Sequence, residues 1–266
     1  MTTAIRALFK WILERGILSW LAVLVIWELV ALGYHNADLF PSPVQTFDGA
    51  IRLWSNGALL KDIGISSLRI LAGWLLGTLV GIPLGLIIGT SQVLRHMIEP
   101  FINFFRFIPA IAFVTVFMMW FGIGEGFKVA LITYTTLFIV ALNTMMGVVR
   151  VDEEKIRASM CLGATRFQIF LYVIVPATVP FMVNGMRLAM GNSFAAIVGA
   201  EMLAAQQGVG YLIWTSRLYF QTDWIFVGLF VLGLMGFVAD RLITVLSRVF
   251  LKRYGVMDGA TAEMRL

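Results

Sequence analysis

The sequence predicts an all-α membrane protein that crosses the bilayer several times. Sixty per cent of its 266 residues are hydrophobic and only 13% are charged, whereas soluble domains have roughly 45–50% apolar and about 25% charged residues. A soluble protein of this composition would lack the polar side chains that cover a water-exposed surface. The apolar segments are continuous and do not alternate, which favours helices over a transmembrane β-barrel.

Six apolar segments are each long enough for a transmembrane helix, which needs about 20 residues to cross ~30 Å of hydrocarbon. The first is longer than the apolar core of a signal peptide, and no small-x-small cleavage site follows it, so we expect it to remain as a span. We therefore predict a single transmembrane domain over residues 1–266. Its spans are at about 17–34, 66–89, 98–120, 127–148, 171–198 and 224–247.

The lysine and arginine positions predict the orientation, because short cytoplasmic loops carry an excess of these residues. With both tails in the cytoplasm, twelve basic residues fall inside and four outside. The net charge of +5 then indicates membrane anchoring and not nucleic-acid binding. The inner residues are Arg6, Lys10, Arg15, Arg95, Arg150, Lys155, Arg157, Arg166, Arg248, Lys252, Arg253 and Arg265, and the outer ones are Arg52, Lys61, Lys128 and Arg217.

The first outer segment, residues 35–62, is the longest predicted loop. Phe47, Ile51 and Trp54 recur in it at helical spacing after a Pro-Ser-Pro sequence. This pattern predicts a short amphipathic helix at the outer interface, with a plain connector as the alternative.

Five glycines at a spacing of four form a smooth ridge on the second span. Such a ridge lets another backbone approach closely, so we expect it to pack against a helix of the same chain. The alternative is a sliding surface in a moving transporter. Pro83, within this span, predicts a kink. The glycines are Gly73, Gly77, Gly81, Gly85 and Gly89.

The segment between the fourth and fifth spans, at about 150–170, has the pattern of a structured loop. Asp152 is a good N-cap, and two glutamates follow it where the first turn of a helix favours negative charge. Gly163 supplies a left-handed stop, and Thr165 and Gln168 have the spacing of a capping box that restarts a helix. We therefore predict a helix–glycine–helix elbow on the cytoplasmic face. It either docks a cytoplasmic partner or is a solvated connector.

This segment resembles the EAA loop in the permeases of ABC importers, where Glu-Ala-Ala precedes a glycine and Ile-x-Leu-Pro closes the loop. Aligned on Gly163, the triplet is Arg157-Ala158-Ser159 and the closing residue is Pro176; Arg157 stands where the family has glutamate. The resemblance implies that this loop couples the chain to an ATPase subunit. The implied coupling residues are Arg157, Ala158, Ser159, Gly163, Ala164, Thr165, Arg166 and Pro176.

Further segments, in order along most of the chain, resemble the nitrate/sulfonate/taurine branch of these permeases. The family implies two cytoplasmic ATPase subunits, a periplasmic or lipid-anchored solute-binding protein, and a second permease copy, which we expect to form a homodimer in a bacterial inner membrane. It also implies a small anionic solute of the nitrate, sulfonate, taurine or bicarbonate class. The segments are 39–43, 120–125, 185–191, 199–203 and 208–212.

No G-x-x-x-x-G-K-[ST] phosphate-binding loop occurs in the chain. ATP and Mg²⁺ are therefore expected on the partner ATPase, with no cofactor here. Enzymatic activity is not predicted, because His35 and His96 fall on opposite sides of the membrane and no serine has a G-x-S-x-G setting. An ion-coupled carrier or a passive channel, working without an ATPase, is the remaining alternative.

Several polar side chains fall inside the predicted spans, where charge is costly and is a sign of function. Arg106 and Arg187 are predicted to line an anion path, because a guanidinium offers a planar fork of donors. The alternative is an ion pair within the chain, Arg187 with Glu201 or Arg106 with Glu28. The candidate path residues are Arg106, Met182, Asn184, Met186, Arg187 and Glu201.

Two more features of the spans have open roles. Met182, Met186 and Met190 form a stripe that is either ordinary packing or an adaptable gate surface. The sequence Ile108-Pro109-Ala110 is predicted to break the third span, which frees carbonyl groups for a cavity or produces only a kink.

Overall fold

The computed structural model describes residues 17–34, 36, 38–251 and 254. Arg6, Lys10, Arg15, His35, Lys252, Arg253, Arg265 and the predicted cytoplasmic placement of both tails lie outside these residues. Within the described part the secondary structure is entirely helical, as predicted. The helices are α1 (Ile17–Tyr34), α2 (Pro43–Ser55), α3 (Ala58–Thr90), α4 (Gln92–Arg106), α5 (Val114–Phe121), α6 (Glu125–Val149), α7 (Glu153–Cys161), α8 (Arg166–Ala204), α9 (Val209–Leu218) and α10 (Thr222–Leu251).

Four of these helices, α3, α6, α8 and α10, are long and apolar enough to cross a membrane. They contain the predicted second, fourth, fifth and sixth spans. The first predicted span, α1, is an apolar helix of 18 residues, at the short end of what a crossing needs. The count is four, or five with the bent pair described next, so the sixth crossing stays a prediction.

The third predicted span, residues 98–120, is not one helix. α4 ends at Arg106, and a short 3-10 helix after Pro109 leads into α5, so that the two halves are bent by 89°. Proline lacks the N–H that an α-helix needs, and it forces the preceding residue out of helical geometry. The predicted break is confirmed, but its angle is far larger than a kink. By contrast, Pro83 lies inside α3 without ending it.

The glycine ridge of α3 packs against α6 of the same chain, which confirms the packing interpretation. A Cβ atom built on Gly73 would lie 2.5 Å from Ile132, and one on Gly77 would lie 2.6 Å from Thr136. Gly81, Gly85 and Gly89 are equally close to α6, each with an atom nearer than 3.0 Å. α8 packs beside this helix pair, and the main apolar core lies between α3, α5, α6 and α8.

The amphipathic helix expected in the first outer segment is α2. Ser42 caps it in a capping box with Gln45, and its buried Leu53 packs with Val227 of α10 and Leu212 of α9. Phe47, Ile51 and Trp54, whose spacing predicted this helix, are exposed. α9 was not predicted as a separate helix; it connects the end of α8 to the start of α10.

Candidate functional site

The segment between α6 and α8 has the local geometry that its sequence predicts. Asp152 caps α7, with its Oδ1 accepting the Glu154 N–H at 3.0 Å. Gly163 has φ +80°, in the left-handed region that favours glycine. The Thr165 N–H donates to Gln168 Oε1 at 2.8 Å, and the Gln168 N–H donates back to Thr165 Oγ1 at 3.3 Å. Two short helical stretches therefore meet at a fixed turn around Gly163.

The surface of this turn is apolar at its tip. Leu162 is 88% exposed, and Met160 and Phe167 are also largely exposed. A shallow cleft beside them is lined by Ser159, Gly163, Ala164 and Gln168 among others. Exposed apolar groups of this size on a structured loop are typical of a docking surface.

Arg157, which stands where the family has glutamate, pairs within α7. Its Nη2 lies 2.6 Å from Glu153 Oε2, one helical turn earlier, and both side chains are about three-quarters exposed. An exposed pair of this kind contributes little to stability. The replacement therefore leaves the helix intact and its charges close to neutral.

Pro176 shapes the start of α8 on the other side of the turn. Residues 170–174 form a π turn, in which the Val175 N–H donates to the Phe170 carbonyl five residues back. Because proline cannot donate a helical hydrogen bond and its ring crowds the carbonyl four residues earlier, a wider turn at this point accommodates it.

Arg187 forms an ion pair with Asp240 and not with Glu201. Its Nε lies 2.8 Å from Asp240 Oδ1 and its Nη2 lies 3.1 Å from Oδ2, which joins α8 to α10. The predicted alternative of an intrachain pair is confirmed, but the predicted partner is wrong. Glu201 lies fourteen residues further along the same helix, about 21 Å away at 1.5 Å per residue.

The other candidate path residues divide into exposed and buried groups. Asn184 is exposed and donates from Nδ2 to Asn143 Oδ1 at 3.2 Å. Arg106 ends α4, with its guanidinium 4.7 Å from the ring centre of Phe107; among the described residues it makes no ion pair with Glu28. The remaining candidates pack inside the chain: Met182 and Glu201 are buried, and Met186 and Met190 belong to the apolar core.

A cluster of charges that was not predicted lies at the ends of α3, α6 and α8 that are opposite to the turn around Gly163. At its centre Arg69 Nη1 lies 2.7 Å from Glu201 Oε1. Glu201 is fully buried, and its carboxylate also accepts hydrogen bonds from Ser66 Oγ and the Gly210 N–H. A buried carboxylate is tolerated only with such a set of partners. The signal in the sequence was that Arg69, Glu125 and Glu201 all lie near the ends of predicted spans.

The same cluster fixes the segment between α8 and α9. Arg69 Nη1 donates to the Gln207 carbonyl at 2.8 Å, and the Gly208 N–H donates to Asp62 Oδ1 at 2.7 Å. Gly208 has φ +119°, and a Cβ atom there would overlap the Glu201 carboxylate. Only glycine fits this position. Among the described residues, no three histidine, cysteine or carboxylate side chains are grouped so that they could hold a metal ion.

The amino-acid sequence matches a known protein family and several of its members. Residues 81–255 match the family model of binding-protein-dependent transport system inner membrane components. A probable ABC transporter permease of Brucella melitensis is 38% identical over 80% of this chain and 87% of its own length. The taurine transport system permease TauC of Escherichia coli is 30% identical over 91% of this chain and 92% of its own.

Two further comparisons extend this likeness. The nitrate import permease NrtB of Synechocystis is 30% identical over 85% of this chain and 84% of its own length. A structure of the MetNI methionine ABC transporter in an inward-facing conformation aligns with a TM-score of 0.61 at 17% identity, covering 73% of this chain and 98% of its own. That structural likeness concerns the fold alone.

Proposed function

Because this chain belongs to the family of binding-protein-dependent transport system inner membrane components, we propose that it is the permease subunit of an ATP-driven ABC importer for small oxyanions. The chain forms the solute pathway, and a separate ATPase subunit hydrolyses ATP. Relatives are named for taurine, aliphatic sulfonates and nitrate, all of which carry a compact group of oxygens on sulfur or nitrogen. Bicarbonate, a planar oxyanion of carbon, is a further candidate solute.

The turn around Gly163 is the observation that carries this proposal. It is a hydrogen-bonded turn with an exposed apolar tip, and it lies within the residues matched by the family model. A docking partner that covers Leu162 and Phe167 moves the start of α8 directly, because the capping box joins the turn to that helix. This surface is the place where the ATPase subunit engages the chain, and α7 is the coupling helix.

Reconstitution separates this function from an ion-coupled carrier or a passive channel. The chain is incorporated into liposomes with and without its ATPase subunit and solute-binding protein, and uptake of labelled taurine and nitrate is measured. We expect uptake only with both partners and ATP. Uptake driven by an ion gradient, or uptake without the ATPase, would contradict the proposal.

We further propose that Asn184 and Arg187 face the solute pathway. Asn184 is exposed on α8, and Asn192 and Gly191 are exposed on the same side of that helix two turns later. Amide groups facing lipid would be costly, whereas facing a hydrated path they are satisfied. Since Asp240 holds Arg187, this part of the path offers hydrogen-bond donors and a neutralised charge, not an isolated cation.

The proposed arrangement has six crossings, with α1 and the bent α4–α5 pair completing the four long helices, and both termini in the cytoplasm of a bacterial cell. Cys161, the only cysteine of the chain, is exposed in α7 and reports on this orientation. We expect a membrane-impermeant maleimide to label it in inverted vesicles and not in spheroplasts, and the bound ATPase to slow that labelling. Labelling from the outer side would overturn the orientation.

A further inference from the structure

Two nearly buried cations converge on one exposed carboxylate at the outer ends of α3 and α6. The side chains of Arg69 and Lys128 are 7% and 5% exposed, whereas that of Glu125, which both of them contact, is 62% exposed. In most surface pairs the long cationic side chain is the more solvated partner, with its charged head in water. Here the protein interior supplies the donors and the acceptor lies on the outside.

The donors are arranged for a planar oxyanion. Arg69 donates through both Nε and Nη2 to the two oxygens of Glu125, with Nη2 to Oε1 at 2.7 Å. Lys128 Nζ donates to the same Oε1 at 2.9 Å. A guanidinium fork binds any planar group with two suitably spaced oxygens, and nitrate or one edge of a sulfonate has this geometry.

Glu125 can leave this place, whereas the other carboxylate bound to Arg69 cannot. Glu201 is fully buried, and its carboxylate accepts two further donors, the Ser66 hydroxyl, which lies within 2.9 Å of both oxygens, and the Gly210 N–H. Moving Glu201 would leave a buried charge without partners. Glu125 has only the two cations to lose, and its carboxylate already meets solvent. A monovalent anion that replaces it supplies the same charge to Arg69 and Lys128, while the displaced Glu125 carboxylate turns into solvent, where water and salt screen it.

The carboxylate of Glu125 is also accessible. It lines a cleft between α3 and the start of α6, together with Ile65, Leu68, Ala72 and Gln207. A second, more apolar cleft continues from Glu125 along Leu76 and Phe117. An anion approaching from the outer side therefore reaches the cation pair without any rearrangement of the helices, once Glu125 turns aside.

We propose that Arg69 and Lys128 form an anion socket on the outer face, that Glu125 occupies it as an internal ligand, and that a small oxyanion exchanges with Glu125 there. The site belongs to this chain alone. It therefore stands or falls separately from the transport function proposed above, which needs the ATPase and the solute-binding protein.

Thermal unfolding of the full chain in lipid nanodiscs tests the exchange, with sodium methanesulfonate or nitrate titrated against sodium chloride at equal ionic strength. We expect a saturable rise in the unfolding midpoint of the wild type with either oxyanion. Glu125→Gln removes the competing internal ligand, so half-saturation shifts to about tenfold lower concentration if Glu125 is turned aside roughly a tenth of the time.

Asp223→Asn is the matched control. It also removes a carboxylate from an arginine at the outer face, but its partner Arg52 is 64% exposed, so no buried cation is uncovered. This variant should titrate like the wild type. Lys128→Gln, which removes one cation of the socket, should weaken the response several-fold.

Each other outcome overturns the proposal. A response in Glu125→Gln without one in the wild type means that Glu125 is never displaced, and the absence of a response in both means that there is no socket. An equal gain in Asp223→Asn means that the effect is a general one of charge. If Glu125→Gln does not fold, the wild type and Lys128→Gln decide: a saturable effect that Lys128→Gln does not weaken contradicts the socket.

Discussion

The conformation of Gly163 shapes the turn that we propose as the ATPase docking site. Its φ of +80° is open to glycine at little cost, and a Cβ atom there would meet no other atom within 4 Å. The constraint is therefore one of backbone conformation and not of space. For an L-residue the left-handed region costs roughly 1–2 kcal/mol, less for asparagine than for a β-branched side chain.

We predict that Gly163→Val leaves the permease folded and assembled but uncouples ATP hydrolysis from uptake, because the turn moves out of its left-handed geometry. Gly163→Asn, which tolerates this geometry, should keep most of the coupling. ATPase activity and solute uptake are measured together in proteoliposomes. Normal solute-stimulated hydrolysis and uptake in Gly163→Val would contradict the role given to the turn.

At the same scale, Arg187 has two roles. It forms an ion pair with Asp240 that joins α8 to α10, and we propose that it also faces the solute pathway. We predict that Arg187→Ala lowers uptake of an anionic solute and also weakens assembly, since it leaves Asp240 without its ion-pair partner in the membrane. The double variant Arg187→Ala/Asp240→Ala should recover assembly but not uptake.

This double-variant comparison separates the two roles. Assembly is followed by co-purification with the ATPase subunit, and uptake by the labelled solute. If the double variant regains both, Arg187 serves the structure only, and it does not belong to the path.

At the scale of the element, the α3–α6 pair depends on close backbone approach. Each glycine of the ridge is in contact with α6, so an added methyl group must displace backbone or β-branched side chains. Overpacking of this kind costs typically 1–3 kcal/mol. We therefore expect the two helices to move as one unit.

Gly77→Ala should lower the thermal unfolding midpoint in detergent by several degrees, because its Cβ atom would lie 2.6 Å from Thr136. Gly64→Ala, in the same helix, is the control: a Cβ atom at Gly64 has no neighbour within 4 Å, and alanine favours the helix. A loss at Gly64 equal to that at Gly77 would contradict the packing explanation, because alanine raises the helix propensity at both positions and only Gly77 is crowded.

α8 is the element that links the two sites of the chain. It begins at the capping box beside Gly163 and ends at the charge cluster around Glu201, a run of 39 residues or about 58 Å. In the proposed mechanism this single helix connects the docking turn to the charge cluster. The π turn before Pro176 is the one irregular stretch within it.

At the scale of the whole molecule, the described chain is half of a proposed pathway. Many large apolar side chains of α3, α8 and α10 are exposed in the single chain, and we propose that lipid or a second copy covers them. The two-fold symmetry of homodimers would place the amide-bearing side of α8 from each copy on the common pathway.

We predict that the purified complex contains two copies of this chain, with native mass spectrometry giving twice 29.6 kDa for the permease part. Co-expression of two differently tagged copies is the control, because each tag should then recover the other. Recovery of only one copy, or of a different permease chain in its place, would contradict the homodimer.

The sequence by itself determined the features that depend on neighbours along the chain. Composition fixed the membrane class, apolar length located four long spans, and the N-cap, glycine and capping box of the turn at 150–170 were readable because each is satisfied within a few residues. Pro109 likewise predicted a break in the third span, but it did not predict the 89° angle between the two halves.

Only the tertiary structure decided which distant groups meet. Arg69 and Glu201 are 132 residues apart in sequence, and Arg187 and Asp240 are 53 apart. A charge in an apolar segment shows that a partner is needed but not which one, because the choice depends on how the helices are rotated and offset. That arrangement is set by packing over whole helix faces, such as the glycine ridge against α6, and no local pattern encodes it.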